Sequence, residues 1–362
     1  MSDPNTPQLF EVRETDRQVY ANQLADFLPS QIIDIHTHVW LKSFVNDTPA
    51  GNRGAQWPRV VAEDNSIEDL LASYQRLLPQ QKVTPLVFGN PVRYVALEKN
   101  NPYVSRVARQ QGLPSLMVST PDWSPIELER QVFEGGFLGL KPYLDFAPLH
   151  LPSEAITIFD FLPHPHLRTA HEHGWIVMLH VPRPQRLRDP LNLEHLMEIE
   201  RRYPGIRLIV AHIGRAYCPE DVGSSFDALR GAERMMFDFS ANTNALVMEQ
   251  LIRAVGPKRI LFGSDMPIVR MRMRRICEQG HYVNLVPPGL YGDVSGDVHM
   301  REVRQEQGAG LTFFLYEELL AFRRAAEATG LNTTDLEDIF HHNAARIITE
   351  AGWVGASNPS EN

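Results

Sequence analysis

Short apolar runs rich in β-branched residues recur along the chain, most of them followed by turn residues and a stretch whose apolar positions repeat with helical spacing. The runs are Gln31–Val39, Lys82–Gly89, Leu113–Thr120, Phe137–Leu144, Trp175–Pro182, Arg207–Gly214, Met235–Ser240 and Arg259–Met266. Short, nearly continuous runs of this kind fit strands buried on both faces. Between them, Ser66–Leu78 opens with Ser66 and Asp69 at capping-box spacing, with Asp in place of the usual Glu. Ser124–Phe133 opens in a similar way, and Leu191–Tyr203 sets Leu193, Leu196 and Ile199 on one face. Asp221–Arg234 and Asn244–Val255 fill the next two gaps. Strands alternating with helices imply a parallel sheet covered by helices. Eight strands are the number that closes a (β/α)8 barrel.

The expected architecture is therefore α/β: one TIM-barrel domain over residues 1–362. Residues 1–30 form a leader with a short helix around Val19–Phe27, and residues 31–266 carry the barrel strands. Residues 40–65, rich in Asn, Gly, Pro and Trp, extend the loop after the first strand. Residues 267–310 form an insertion after the eighth strand, whose basic run Arg270–Arg275 reads as a solvated helix face. Residues 311–362 supply closing helices near Leu311–Ala328 and Thr334–Glu350. Loops that follow the strands lie on the face where barrels carry active sites, so both long ones are expected to shape a pocket.

Composition narrows the partners. Hydrophobic residues make up 43 % and charged residues 22 %, the balance of a soluble globular chain. A net charge of −9 argues against a nucleic-acid partner, although local arginines can oppose the global sign. No run approaches the ~18 apolar residues of a membrane helix, and the N-terminus lacks a charged-then-apolar leader. A cytoplasmic protein is expected, and barrels of this size often form homodimers. Cys218 and Cys277 are too few for a disulfide framework or a Cys-rich zinc site; reduced thiols are expected, with a single Cys218–Cys277 bridge as the alternative.

The chemistry gathers at the ends of the apolar runs. His36 and His38 stand one pleat apart and project to one side of their strand, where two neutral imidazoles can share a metal ion. Asp34 is expected on the same face, one step deeper, as an acceptor that orients a histidine. Three later runs each end in a titratable residue: Ile176–Leu179 leads into His180, Leu208–Ala211 into His212, and Ile260–Phe262 into Gly263-Ser264-Asp265. Such a residue directly after a buried run is costly unless it is paired or binds metal. Arg183, Arg215, Tyr217 and Asn242 follow the same strand ends. Guanidinium forks match carboxylates, which points to a small organic acid as substrate; pairing of the arginines with Asp189, Glu220 or Asp221 is the alternative. His171, His173, His195, His341 and His342 fall in helical stretches and read as structural.

In order, DIHTH, LHVPR, AHIGR and FGSDMP resemble the metal-dependent amidohydrolase superfamily, in particular its amidohydrolase-related (amidohydrolase 2) branch. That branch also contains non-oxidative decarboxylases such as aminocarboxymuconate semialdehyde decarboxylase. The resemblance runs over roughly residues 31–350, ending in the segment from Ile339 to Ile348. It implies one divalent ion, zinc or else manganese, held by His36, His38, His180 and Asp265. His212 becomes the acid/base residue beside the ion, and Asp265 also a proton acceptor. Lys141, which closes the fourth strand, stays open between a carboxylated bridge to a second metal and a side chain facing solvent or substrate. The implied activity is hydrolysis of a small carboxylate-bearing ester, lactone or amide. Decarboxylation of an aromatic or dienoic acid would use the same residues.

Overall fold

The computed structural model describes residues 10–46 and 58–355. Strands form inside all eight apolar runs: β1 Gln31–His38, β2 Lys82–Phe88, β3 Met117–Ser119, β4 Gly139–Pro142, β5 Ile176–Leu179, β6 Arg207–Val210, β7 Met236–Asp238 and β8 Ile260–Leu261. β1 pairs in parallel with β2, and β3 to β8 pair in parallel in chain order. Backbone hydrogen bonds join the two arcs at both seams. Leu116 N donates to Val87 O at 3.1 Å, Ile35 N to Phe262 O at 3.0 Å and Asp265 N to His36 O at 2.8 Å. The result is the predicted α/β barrel.

Side-chain alternation sorts the strands into two buried layers. Ile33, Leu86, Ile176, Met178, Ile209 and Leu261 pack inside the barrel with Ala344, Ile347 and Ile348 of the helix Asn343–Glu350. That helix closes the end where the strands begin, as the Arg207–Glu350 ion pair at the start of β6 marks. Val177, Leu179, Leu208, Val210 and Phe237 face the surrounding helices. Each such fully buried side chain contributes roughly 1.5–3 kcal/mol. One end of the barrel is thus sealed by apolar packing, which leaves the other for chemistry.

The caps fall where predicted. Ser66 and Asp69 exchange reciprocal bonds at the head of the helix Ile67–Leu77. Ser124 caps Pro125–Gly135; Asn244, for which the sequence reading specifies no cap, caps Ala245–Val255. Elsewhere the elements differ from expectation. The leader helix starts earlier, at Glu14–Val19, and ends in a π-turn over Tyr20–Leu24. The expected helix Asp221–Arg234 is broken into Pro219–Asp221 and Ser225–Leu229, because Gly223 turns left-handed (φ 53°) between them. An unpredicted helix, Leu97–Gln111, links β2 to β3. The closing helices run over Phe314–Thr329 and, interrupted by a π-turn, from Thr333 to Glu350. Part of the extended loop after β1, residues 47–57, lies outside the described residues, as do residues 1–9 and 356–362.

Two expectations about the insertion are overturned. The run Arg270–Arg275 is not a solvated helix face: Arg270 and Arg272 are buried, and Arg272 grips both carboxylate oxygens of Asp16 at 2.8 and 2.7 Å. Met271 and Met273 alternate with the arginines and are also buried, a two-residue period that belongs to extended chain. Arg274–Glu278 is strand β9. It pairs antiparallel with β10, His281–Val286, which pairs in parallel with β11, Met300–Glu302. Gln279 and Gly280, both at positive φ, make the two-residue hairpin turn. The cysteines are not reduced thiols either. Cys218, in the loop after β6, and Cys277, in β9, form a disulfide. The insertion folds back over the barrel rim and brings their Cα atoms to 5.8 Å, a separation a disulfide spans.

Candidate metal centre and active site

The strand ends converge on one cluster. His36, His212 and Asp265 each place one ligand-type atom within 4.8 Å of the other two. His38 Nε2 lies 3.1 Å from Asp265 Oδ1, and His36 Nε2 lies 3.5 Å from the same oxygen. His180 stands beside them, its ring 5.2 Å from that of His212.

Plain alternation does not deliver this arrangement. On β1, Ile33 and Ile35 face the interior, so His36 would point outward. The register of β1 on β2 shifts between Asp34 and Thr37, and past that irregularity His36 meets the other site residues. Gly263 makes room: a Cβ there would stand 2.8 Å from His36 Cβ. On β6, Ala211 faces inward, and His212 is swung into the barrel by a left-handed turn, with φ of 55°, 52°, 60° and 62° over residues 212 to 215. Asp265 is also left-handed (φ 68°). Such conformations cost non-glycine residues roughly 1–2 kcal/mol each and gather at functional sites.

The register shift also corrects the reading of Asp34. Its carboxylate accepts from Tyr74 Oη at 2.7 Å, Ser264 N at 2.9 Å and His36 N at 3.2 Å. It therefore ties strand ends to the helix layer and orients no imidazole; burial pushes its pKa up to about 7. Asp238, at the end of β7, does the orienting instead. Its Oδ2 lies 2.9 Å from His36 Nδ1, and its Oδ1 accepts from His212 N at 2.8 Å and from Ser240 Oγ at 2.5 Å. The sequence reading missed Asp238, although it closes a predicted strand just as the recognised residues close theirs.

These bonds fix the tautomers. His36 Nδ1–H donates to Asp238, and His38 Nδ1–H donates to the Gly89 carbonyl at 3.0 Å. The Ser240 hydroxyl is committed to Asp238, so His212 Nδ1–H donates to Ser240 O at 3.0 Å and Oγ at 2.9 Å. In all three rings Nε2 is left with a lone pair. Burial, joined by the neighbouring Lys141 cation, holds His36 well below the usual imidazole pKa. Burial and Arg215 do the same to His180, and burial lowers His212. Burial alone would raise Asp265, but the neighbouring imidazoles of His38, His212 and His36 outweigh it, and its carboxyl sits below the usual value. Lone pairs on His36 and His38 thus face an anionic oxygen at contact distance; Lys141 Nζ, 3.1 Å from His36 Nε2, meets one of them, and a divalent ion would meet both. Among the described residues, His180 Nδ1 is buried with no hydrogen-bond partner. The donor set fits a divalent ion.

Lys141 is 1 % exposed, and its Nζ lies 3.1 Å from His36 Nε2. Burial depresses it to about 8. It faces the cluster, not bulk solvent.

The cluster forms the floor of a cavity of about 450 Å³. Trp40, Tyr94, Tyr143, Tyr217, Tyr282 and Phe314 give it an aromatic wall. Burial raises Tyr143, and pushes Tyr217 up to about 12, so both phenols stay protonated donors. Of the expected substrate contacts, Arg215, Tyr217 and Lys141 line this cavity. Arg183 does not: it turns to Asp189, whose carboxylate accepts from its Nε at 2.9 Å and caps the helix Pro190–Arg202. Asn242 does not either; it is buried, donating to Ala216 O and accepting from Asn244 N. Arg275, read from sequence as part of a solvated face, lines the cavity instead.

An eight-stranded parallel barrel with imidazoles and a carboxylate converging beyond its strand ends defines a class of metal-centred α/β-barrel enzymes. The sequence model of the amidohydrolase family matches residues 33–280, and the chain belongs to that family of enzymes. Comparison with curated proteins gives no match. Among solved structures, the chain is similar to a probable 2-pyrone-4,6-dicarboxylic acid hydrolase from Acinetobacter baumannii with citric acid bound. The identity is 15 %, the alignment covers 88 % of this chain and 99 % of that one, and the TM-score is 0.53. A dihydroxybenzoic acid decarboxylase from Polaromonas, holding manganese and 2-nitroresorcinol, aligns at 15 % identity over 89 % and 97 % of the two chains, with a TM-score of 0.52. A zinc-bound amidohydrolase from Burkholderia multivorans aligns at 14 % identity over 88 % and 99 %, with a TM-score of 0.50. Among the described residues no helix is long and apolar enough to cross a membrane.

Proposed function

We propose that the chain is a metal-dependent hydrolase of a small ester, lactone or amide that carries a carboxylate. One divalent ion, zinc or manganese, would be held by His36, His38, His180 and Asp265. The observation that carries this reading is the meeting of the His36 and His38 Nε2 lone pairs with Asp265 Oδ1 at 3.5 and 3.1 Å. A divalent ion bound there supplies a Lewis acid and brings the pKa of a water down to about 7.

The chain's own groups do the rest. Asp265, ionised, accepts a proton from the water that attacks the substrate carbonyl. His212, neutral and with Nε2 free, takes that proton on from Asp265 and delivers it to the departing oxygen or nitrogen, which leaves Asp265 ionised as it began. Arg215, tied through Nη1 to the carbonyls of Val181 and Pro182 at 3.3 and 3.1 Å, offers its remaining N–H groups to the substrate carboxylate. Tyr143 and Tyr217 donate from the wall.

Hydrolysis suits a neutral His212 beside an ionised Asp265, since each can accept a proton. Decarboxylation, which needs a donor to protonate carbon, is the second reading. The aromatic wall favours it, because a flat aromatic acid would stack there.

His212→Asn tests the assignment. Turnover should fall about 10²–10⁴-fold, while metal content measured by plasma emission stays near that of the parent protein. Loss of the metal along with turnover would make His212 a ligand and sink the scheme. Release of carbon dioxide from aromatic acids, with no ester, lactone or amide cleaved, would replace hydrolysis by the second reading.

A further inference from the structure

We infer that Arg275, supplied by the insertion after β8, is a specificity-determining residue whose guanidinium takes a second anionic group, a carboxylate, on the insertion side of the cavity. The inference rests on the reading that this cavity binds an organic acid, and deepens it.

Three neighbouring arginines have an acid, whereas Arg270 and Arg215 bond to neutral oxygens. Arg186 pairs with Asp221 at 2.5 Å, Arg272 with Asp16 at 2.7 Å and Arg274 with Glu317 at 3.4 Å. Among the described residues Arg275 has none within ion-pair distance, although it is half-buried and three aromatic rings surround its head. Glu318, which approaches the same turn, spends one oxygen on Ala241 N at 2.7 Å. A desolvated cation without a counter-ion is expensive, and a brace for a loop could be made with a neutral side chain.

The guanidinium is also held still. Its Nε donates to Asn284 Oδ1 at 2.8 Å and its Nη1 to Ala241 O at 2.6 Å. The rings of Tyr217, Tyr282 and Phe314 lie 4.5 to 4.7 Å from its central carbon. Two residues further along β9, the Cys218–Cys277 disulfide ties the strand to the barrel. Arginine carries five N–H donors; the two bonds above use two. Those left belong to a side chain that lines the same cavity as Asp265 and Arg215. Arg215 is anchored on the loop after β5 and Arg275 on the loop after β7, so the two cations address a substrate from different walls.

Isophthalate and 3-carbamoylbenzoate share one shape and differ by one negative charge, which makes them a matched pair of probes. Titration calorimetry on the metal-loaded protein should show isophthalate binding about tenfold more tightly, the order expected for one charge-assisted hydrogen bond. Arg275→Gln should bring that ratio to about one without changing metal content. Arg275→Lys, which keeps the charge but not the fork, should retain part of it. A ratio unchanged in Arg275→Gln overturns the inference, as does a parent protein that binds neither probe or both equally at millimolar concentration. Loss of turnover on metal removal reports on the hydrolase reading and not on this ratio, so the two fail separately.

Discussion

The two walls of the cavity secure their charges by different means. On the barrel wall the reacting groups sit at the ends of parallel strands, and one buried carboxylate, Asp238, fixes two histidines and a serine at once. On the insertion wall the cation Arg275 is held by rings, a backbone carbonyl and an amide, and its strand is tied to the barrel by a disulfide. The first wall is preorganised by the fold itself; the second depends on the insertion staying docked. Chemistry and selectivity are therefore separable, and each wall can be disturbed while the other is watched.

The largest effect is expected where the insertion is stapled. Cys277→Ser opens a link between residues 59 positions apart, and loop entropy alone sets an upper expectation of about 4 kcal/mol of lost stability. Urea unfolding followed by circular dichroism measures it. Metal content should stay near that of the parent, because no candidate ligand lies on β9. Equal loss of stability and metal would mean that the walls form one unit.

The converse change is smaller. Asp238→Asn keeps the volume but removes the charge that holds His36 Nδ1–H, and partners of this kind typically govern metal affinity by about 10–100-fold. Competition with a chelating dye should show that loss, while the isophthalate preference assigned to Arg275 persists. An affinity for metal that does not move would remove Asp238 from the barrel wall's design.

The two walls also differ in how far they could be read from sequence. The barrel wall was legible because its code is local: an apolar run of strand length, then one polar residue. His36, His38, His180, His212 and Asp265 all announce themselves this way. The facing of their side chains was not legible. It depends on the shift of β1 between Asp34 and Thr37 and on four successive left-handed residues from His212 to Arg215, only one of which is glycine. That is why Asp34 was given the part that Asp238 plays. On the insertion wall, the alternation of arginine and methionine over residues 270 to 273 carried a strand-like signal, but a run of cations invites a solvent-facing reading. That Arg272 finds Asp16, 256 positions away, is a tertiary fact. The same holds for Arg183 and Asn242, whose strand-end positions suggested substrate and whose partners are Asp189, Ala216 and Asn244.

A last test concerns the seam between the walls. Glu318 is fully buried on the helix Phe314–Thr329 and accepts from Ala241 N, while Arg275 donates to Ala241 O. Burial, helped by the charge of Asp34, raises its pKa well above the usual 4.5. The folded chain therefore keeps a proton that the unfolded chain releases above that value. The resulting stabilisation is complete below about pH 4.5 and is lost as pH climbs through the raised folded value. Glu318→Gln cannot titrate, so its unfolding free energy should fall less steeply than the parent's over that window. The amide buries N–H groups where Glu318 Oε1 finds no partner among the described residues, a cost of about 1–3 kcal/mol that does not vary with pH. The slope, not the offset, is the readout. Parallel pH profiles for the two proteins would show that Glu318 is ionised in the folded chain, and Arg275 would then have a counter-ion behind the turn it shares with the barrel wall.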